Sequence, residues 1–199
     1  MKELNNYEKE KLTTSVFWAN MYSIIIIIPI LLIYGIPYFL INSEQFSQQY
    51  IKQAMQNNNG VQFVGSNLFF TILIILIGVV LHELLHGITW AMFNDKGFKS
   101  IKFGIIWKML TPYCHSEEPL KIKYYLAGTL MPAIILGFVP AVIAIFIGSI
   151  ALLSIGVFFT IVASGDFLIV KMLIKEDMDD IVEDHPSEVG CYIYRRKKE

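Results

Sequence analysis

Charged residues are scarce in this chain, and cysteines are scarcer. Asp, Glu, Lys and Arg make up 17% of the 199 residues, whereas an ordinary soluble domain has about 25%. The net charge is −1, so no overall basicity favours a nucleic acid partner, and we expect none. The two cysteines, Cys114 and Cys191, are too few and too far apart for a disulfide framework or a cysteine-based zinc site.

Apolar residues are abundant instead, at 55% of the chain, and they occur in long blocks. Crossing a bilayer takes about 20 mostly apolar residues, and four blocks are long enough: 16–41, 68–93, 124–147 and 150–174. The first block begins too late and runs too long for a cleavable signal peptide, so we interpret it as a retained span. The last two blocks nearly touch, which predicts a tight turn at or near Gly148-Ser149. The sequence therefore predicts an all-α polytopic membrane protein with about four transmembrane helices.

The segments between the blocks are polar and differ in their content of lysine and arginine. The N-terminal segment, the 94–123 loop and the C-terminal segment are rich in basic residues, whereas the 42–67 loop has only Lys52 and the last loop has none. Basic residues in short loops mark the cytoplasmic side. We therefore expect both termini in the cytoplasm and the chain in a bacterial inner (cytoplasmic) membrane.

Two of these loops carry local structural signals. In the first, Asn57-Asn58-Asn59-Gly60 predicts a turn. In the second, Phe103, Ile105 and Trp107 alternate with Gly104 and Ile106, as in a strand at the membrane surface or a simple amphipathic anchor. We expect a small strand and loop region here, between the second and third helices.

The second block ends in an HExxH motif, His82-Glu83-Leu84-Leu85-His86. Residues four apart on a helix lie one turn apart on the same face, so His82 and His86 can bind one metal ion. Glu83 is rotated by about 100° from His82 and can act as a general base. The alternative is a helix face with two incidental histidines. Ionisable residues at the end of a charge-free run are costly unless they have partners, which favours the metal site.

Catalytic zinc usually has three protein ligands, and Asp166 is the candidate for the third. It is the ionisable residue deep in the fourth block. In the predicted topology, His86 and Asp166 lie at similar depth, roughly 10–12 Å from the cytoplasmic boundary at 1.5 Å per residue. The alternative is a carboxylate that hydrogen-bonds Ser164 or another helix.

Other residues could supply the third ligand or lie near it. His115 and the pair Glu117-Glu118 lie in the second loop on the expected cytoplasmic side, but charged residues in a water-facing loop need no special reason. Cys114 is interpreted as an isolated reduced thiol and His185 as a solvated turn residue. Glycines in the helices, Gly87 and Gly128 among them, are expected to leave room for close approach of neighbouring helices.

Together these motifs resemble the site-2 protease class of intramembrane zinc metalloproteases. They resemble more closely a bacterial family of zincin-type membrane peptidases, described as a domain of unknown function. The matching segments are His82 to Gly87, Tyr113 to Pro119, Met131-Pro132, Gly165-Asp166, Asp184 to Pro186 and Val189-Gly190. The site-2 class usually has glycine after its aspartate, whereas here glycine precedes it.

The resemblance implies one zinc ion per chain on His82, His86 and Asp166, with Glu83 as the catalytic base. The expected function is an integral membrane zinc metalloprotease that acts on a membrane protein or a peptide. The alternative is a membrane protein that binds metal without hydrolysis, such as a degenerate protease, a transporter or an adaptor. We divide the chain into an N-terminal helix and polar loop (1–67), a zincin-like membrane core (68–174) and a cytoplasmic tail (175–199).

Overall fold

The computed structural model describes residues 6–49, 60–107, 111–185 and 188–197. Its helices are α1 Val16–Ile41, α2 Gly60–Ala91, α3 Ile122–Pro132, α4 Val139–Ile147, α5 Ile150–Val162 and α6 Ser164–Leu173. Its strands are β1 Tyr7–Thr14, β2 Ile101–Ile106, β3 Thr111–Ser116, β4 Leu120–Lys121, β5 Ile181–Asp184 and β6 Val189–Arg196. Gly60 begins α2, and the rest of the predicted Asn57–Asn59 turn lies outside the described residues.

Within the part of the chain that the structure describes, three stretches of helix are long and apolar enough to cross a membrane. They are Val16–Ile41, Leu68–Ala91 and the run Ile122–Ile147, in which a π-helical segment, Ala133–Phe138, joins α3 to α4. Helices α5 and α6 make a fourth if they count as one span, because they are bent by 47° at a short break. The four apolar blocks of the sequence therefore correspond to three or four candidate spans.

The turn between the last two blocks lies where the sequence predicts it. Gly148 ends α4 with a left-handed backbone (φ 69°), which glycine adopts without the strain of a side chain. The Ser149 side chain accepts a hydrogen bond from the Leu152 amide and caps α5. The Gly148 carbonyl also accepts from the Tyr38 hydroxyl at 2.9 Å, which ties the turn to the end of α1.

The expectation of an all-α protein holds only in part: the described residues are mostly helical, but they also form two sheets with six strands. The β2–β3 hairpin lies between α2 and α3, where the sequence predicts a strand region. The other sheet, in the order β1-β6-β5-β4, combines strands from both ends of the chain. Residues 181–196 of the predicted tail thus supply β5 and β6, and Leu12 of β1 lies opposite Cys191 of β6. The three-part division of the chain stays a prediction.

This four-stranded sheet and the ends of α2, α3 and α6 together form one apolar core. The core side chains include Trp90, Leu120, Ile122, Leu173, Val182, Cys191 and Ile193. Trp90 lies one helical turn after His86. The apolar core of the sheet and the predicted metal site therefore involve adjacent turns of α2.

We predict that Gly156→Ala destabilises the bundle and that Gly35→Ala does not. A Cβ at Gly156 would lie 2.7 Å from the backbone nitrogen of Ala141 and 2.8 Å from the Gly137 carbonyl oxygen, so α5 must move away. Overpacking of this kind costs about 1–3 kcal/mol. A Cβ at Gly35 on α1 meets nothing within 4 Å. Thermal unfolding in detergent should therefore show a lower midpoint for Gly156→Ala only, and equal midpoints for the two variants would contradict this packing.

Candidate metal centre

The two histidines of the HExxH motif lie on one face of α2 and are buried. Their Nε2 atoms are 3.2 Å apart, and the side chains of His82 and His86 are each 7% exposed. The Nδ1 atom of His86 lies 2.9 Å from the Gly128 carbonyl oxygen on α3. Because a carbonyl only accepts, Nδ1 of His86 donates there, and its Nε2 keeps a lone pair directed at the site.

Asp166 reaches the same point from the other side. It lies in the first turn of α6, directly after the bend, where the helix N-terminus favours a negative charge. Its Oδ2 atom is 3.2 Å from Nε2 of His82, and its Oδ1 atom is 3.4 Å from Nε2 of His86. Ser164 donates its hydroxyl to Ser23 of α1 at 2.8 Å rather than to Asp166.

These three residues fit a zinc ion by donor type and by spacing. Two ligands at about 2.0–2.1 Å from a tetrahedral ion lie about 3.3 Å apart, close to the observed separations of 3.2–3.4 Å. Among the described residues, these form the group of three side chains whose donor atoms lie within 4.8 Å of one another. Oδ2 of Asp166 is buried without a hydrogen-bond partner in that part of the chain, as expected of an atom that awaits a cation.

Glu83 lies beside this group, between α2 and the β2–β3 hairpin. Its side chain is half-buried, and its carboxylate lies at the backbone amide of Cys114 on β3. The hairpin comes this close because Gly87 has no side chain: a Cβ there would lie 2.5 Å from the ring of Phe103. Gly87 therefore accommodates a strand residue, whereas the sequence predicted the approach of a helix.

An aromatic stack packs against His86, and the sequence did not reveal it. The Trp90 ring stacks on His86 with centroids 5.2 Å apart and on Tyr125 of α3 at the same separation. Trp90 also donates its indole N–H to the Tyr125 carbonyl at 2.9 Å. A Cβ at Gly128 would lie 2.2 Å from the indole, so this glycine makes room for the stack. The signal in the sequence was only the spacing of His82, His86 and Trp90 at one residue per turn.

The rival ligands from the second loop have other partners. His115 Nδ1 lies 3.1 Å from Asp184 Oδ2. Glu117 and Glu118 form ion pairs with the nearby lysines Lys102 and Lys96, respectively.

The two remaining candidates also have roles away from the three donors. Burial raises the pKa of the Cys114 thiol to about 12, so at neutral pH it is a thiol rather than a thiolate ligand. The predicted turn residue His185 accepts a hydrogen bond on Nδ1 from the Glu188 amide at 2.9 Å. Neither belongs to the group of three close donors found among the described residues.

The fold and the donor set define a helical protein with membrane-length apolar helices and a candidate metal centre on an HExxH helix. Residues 75–180, just over half of the chain, match the model of a family described as "Putative zincin peptidase", and the chain belongs to that family. The matched segment includes Glu83 and the three donors, and a zincin family implies a zinc cofactor. No curated protein and no solved structure matches the chain. The resemblance to the site-2 class stays a prediction.

We predict that His115 stabilises the fold more at low pH than at high pH. Asp184 raises the pKa of His115 above 6.5, with smaller contributions from Glu117 and Glu183, while Lys102 lies opposite in the strand pair. A raised folded-state pKa contributes stability that is fully present below the unfolded value and lost as pH rises through the folded value. For this partly exposed pair the contribution is about 1 kcal/mol or less.

The measurement is the thermal unfolding midpoint of wild type and His115→Gln at about pH 5.5 and about pH 8.5, on either side of the ordinary imidazole pKa. The deficit of the variant should be larger at the lower pH. An equal deficit at both values would show that the charge on His115 contributes nothing.

Proposed function

We propose that this chain is an integral membrane zinc metallopeptidase. One zinc ion would be held by His82, His86 and Asp166, and Glu83 would be the general base. The observation that carries the proposal is the convergence of two buried histidines and a half-buried aspartate from two apolar helices, with a carboxylate one residue after the first histidine. Membership of the zincin family supports the same reading.

Zinc in such a site, when bound, supplies Lewis acidity for the scissile carbonyl and makes a water at its open position more acidic. Glu83 would accept the proton of the attacking water and pass it to the leaving amine. The Cys114 amide beside the carboxylate holds it in place between α2 and β3. The hydrogen bond from His86 Nδ1 to Gly128 fixes the imidazole with its other nitrogen facing the site.

The same proposal includes a location and a substrate class. The site would open towards the cytoplasmic side of a bacterial inner membrane, because the basic loops flank it there. Pairing of β1 with β6 places the described ends of the chain in one sheet, which supports two termini on the same side. The substrate would be a peptide or an unwound segment of a membrane protein. The exposed side chains of Phe103 and Trp107 would anchor the adjoining hairpin at the membrane surface.

We predict that purified wild type holds one zinc ion per chain and that Asp166→Ala loses it. Glu83→Gln should keep the zinc, because glutamine preserves the size of the side chain and Glu83 is not a ligand. Its peptidase activity should fall by about 10²–10⁴-fold, as expected for loss of a general base. Zinc is measured by elemental analysis of detergent-purified protein, and activity is measured on an unstructured peptide and on a transmembrane substrate.

Glu117→Gln is the control, because it removes a carboxylate of the same type from the adjacent loop, where its partner is Lys102. It should change neither zinc content nor activity. Full zinc content in Asp166→Ala would exclude Asp166 as a ligand. Zinc in wild type without hydrolysis of either substrate would favour a metal-binding protein that is not an enzyme.

A further inference from the structure

One carboxylate of the four-stranded sheet joins three elements that surround the metal centre. Asp184, the last residue of β5, accepts a hydrogen bond from the hydroxyl of Tyr125 on α3. It also lies 3.1 Å from His115 Nδ1 and accepts from the Ser116 amide at 3.3 Å, both on β3. Its side chain is only 16% exposed. A carboxylate with three partners from two other elements restrains both of them.

The first branch of this network leads to a candidate zinc ligand. The Tyr125 ring stacks on Trp90 with an angle of 10° between the planes, and Trp90 stacks on His86 with an angle of 15°. The indole N–H is bound to the Tyr125 carbonyl. Gly128, whose carbonyl accepts from His86, packs directly against the indole, so that not even a Cβ would fit between them. A shift of Tyr125 must therefore move Trp90 and with it the His86 ring.

The second branch leads to the candidate base. The amides of residues two apart in a strand point to the same edge. On β3, the amide of Ser116 meets Asp184, and the amide of Cys114 meets the carboxylate of Glu83. The His115 side chain between them pairs with Asp184 as well. Asp184 thereby holds β3 in place relative to α2, and this sets where the Cys114 amide meets Glu83.

We propose that Asp184 is a positioning residue of the active centre, which orients His86 through Tyr125 and Trp90 and places Glu83 through β3. The inference rests on the proposed function, since it takes His86 as a zinc ligand and Glu83 as the base. The four-stranded sheet would then help to position the residues of the metal centre. Outer partners of this kind affect metal affinity by about 10–100-fold.

The test uses full-length protein in detergent, with zinc itself as the ligand. Tyr125→Phe removes one hydroxyl and cuts the first branch only, whereas Asp184→Ala cuts both branches. Asp179→Ala is the control, because Asp179 is an aspartate of the same region that pairs with Lys121 and Lys123 and has no part in either branch. Zinc affinity is measured by competition with a chelator, and kcat and KM are measured at saturating zinc.

A spectroscopic reading is available without activity. The chain has three tryptophans, and Trp90 is 4% exposed, whereas Trp18 and Trp107 are 64% and 76% exposed. With Trp18 and Trp107 changed to Phe, emission reports Trp90 alone. Both Tyr125→Phe and Asp184→Ala should shift this emission in the metal-free protein, and Asp179→Ala should not.

We expect both variants to bind zinc about 10-fold more weakly or worse. The double variant, with Tyr125→Phe and Asp184→Ala together, should bind zinc no more weakly than Asp184→Ala alone. The reason is that Asp184→Ala already cuts the branch that Tyr125→Phe removes. At saturating zinc, Asp184→Ala should still have a lower kcat with little change in KM, since Glu83 is misplaced, and Tyr125→Phe should regain most of its kcat.

Wild-type zinc affinity and Trp90 emission in Tyr125→Phe would overturn the inference, and so would additive losses in the double variant. If Asp184→Ala does not fold, Tyr125→Phe alone decides between these results. Absence of zinc from the wild type would instead contradict the proposed function. Because Trp90 emission is measured in metal-free protein, it tests the role of Asp184 separately from the presence of zinc.

Discussion

Three ionisable side chains meet at one buried point between α2 and α6, and none of them could lie there alone at low cost. A carboxylate taken out of water needs a partner of opposite charge, and an apolar span offers few. His82 and His86 lie within 3.4 Å of the Asp166 carboxylate. A divalent cation between the three would satisfy all of them. The bend at the start of α6 and the glycine contacts of α2 are the means by which the chain brings the donors together.

Glycine and aromatic pairs build the surroundings of this point. At each of three glycines, an added Cβ would fall within 2.5 Å of an aromatic ring from a neighbouring element. The pairs are Gly78 with Phe159 of α5, Gly87 with Phe103 of β2, and Gly128 with Trp90. Lipid is as apolar as the side chains, so helices in a membrane associate largely through such close contacts. The three contacts fix α2 against α5, β2 and α3, and they hold the HExxH face in one orientation.

Hydropathy predicted apolar spans, and helical period and depth pointed to His82, His86 and Asp166, whose donor atoms the fold brings close together. These patterns could not predict β1, an edge strand with four charged residues among its eight, whose burial pattern shows no alternation and whose structure depends on its pairing with β6. Asp184 was hidden for a similar reason. It stands in an acidic run that is typical of a solvated tail, and only the tertiary fold gives it Tyr125, His115 and Ser116 as partners.

The acidic run also supports the start of α3. The first amides of a helix have no partner within it. Here the Ile122 amide donates to the Asp180 carbonyl at 2.9 Å and the Lys123 amide to the Met178 carbonyl at 3.2 Å. The segment after α6 thus caps the helix that carries Tyr125 and Gly128. Since α6 carries Asp166 and α3 receives the His86 hydrogen bond, these backbone contacts link the helices on both sides of the metal centre.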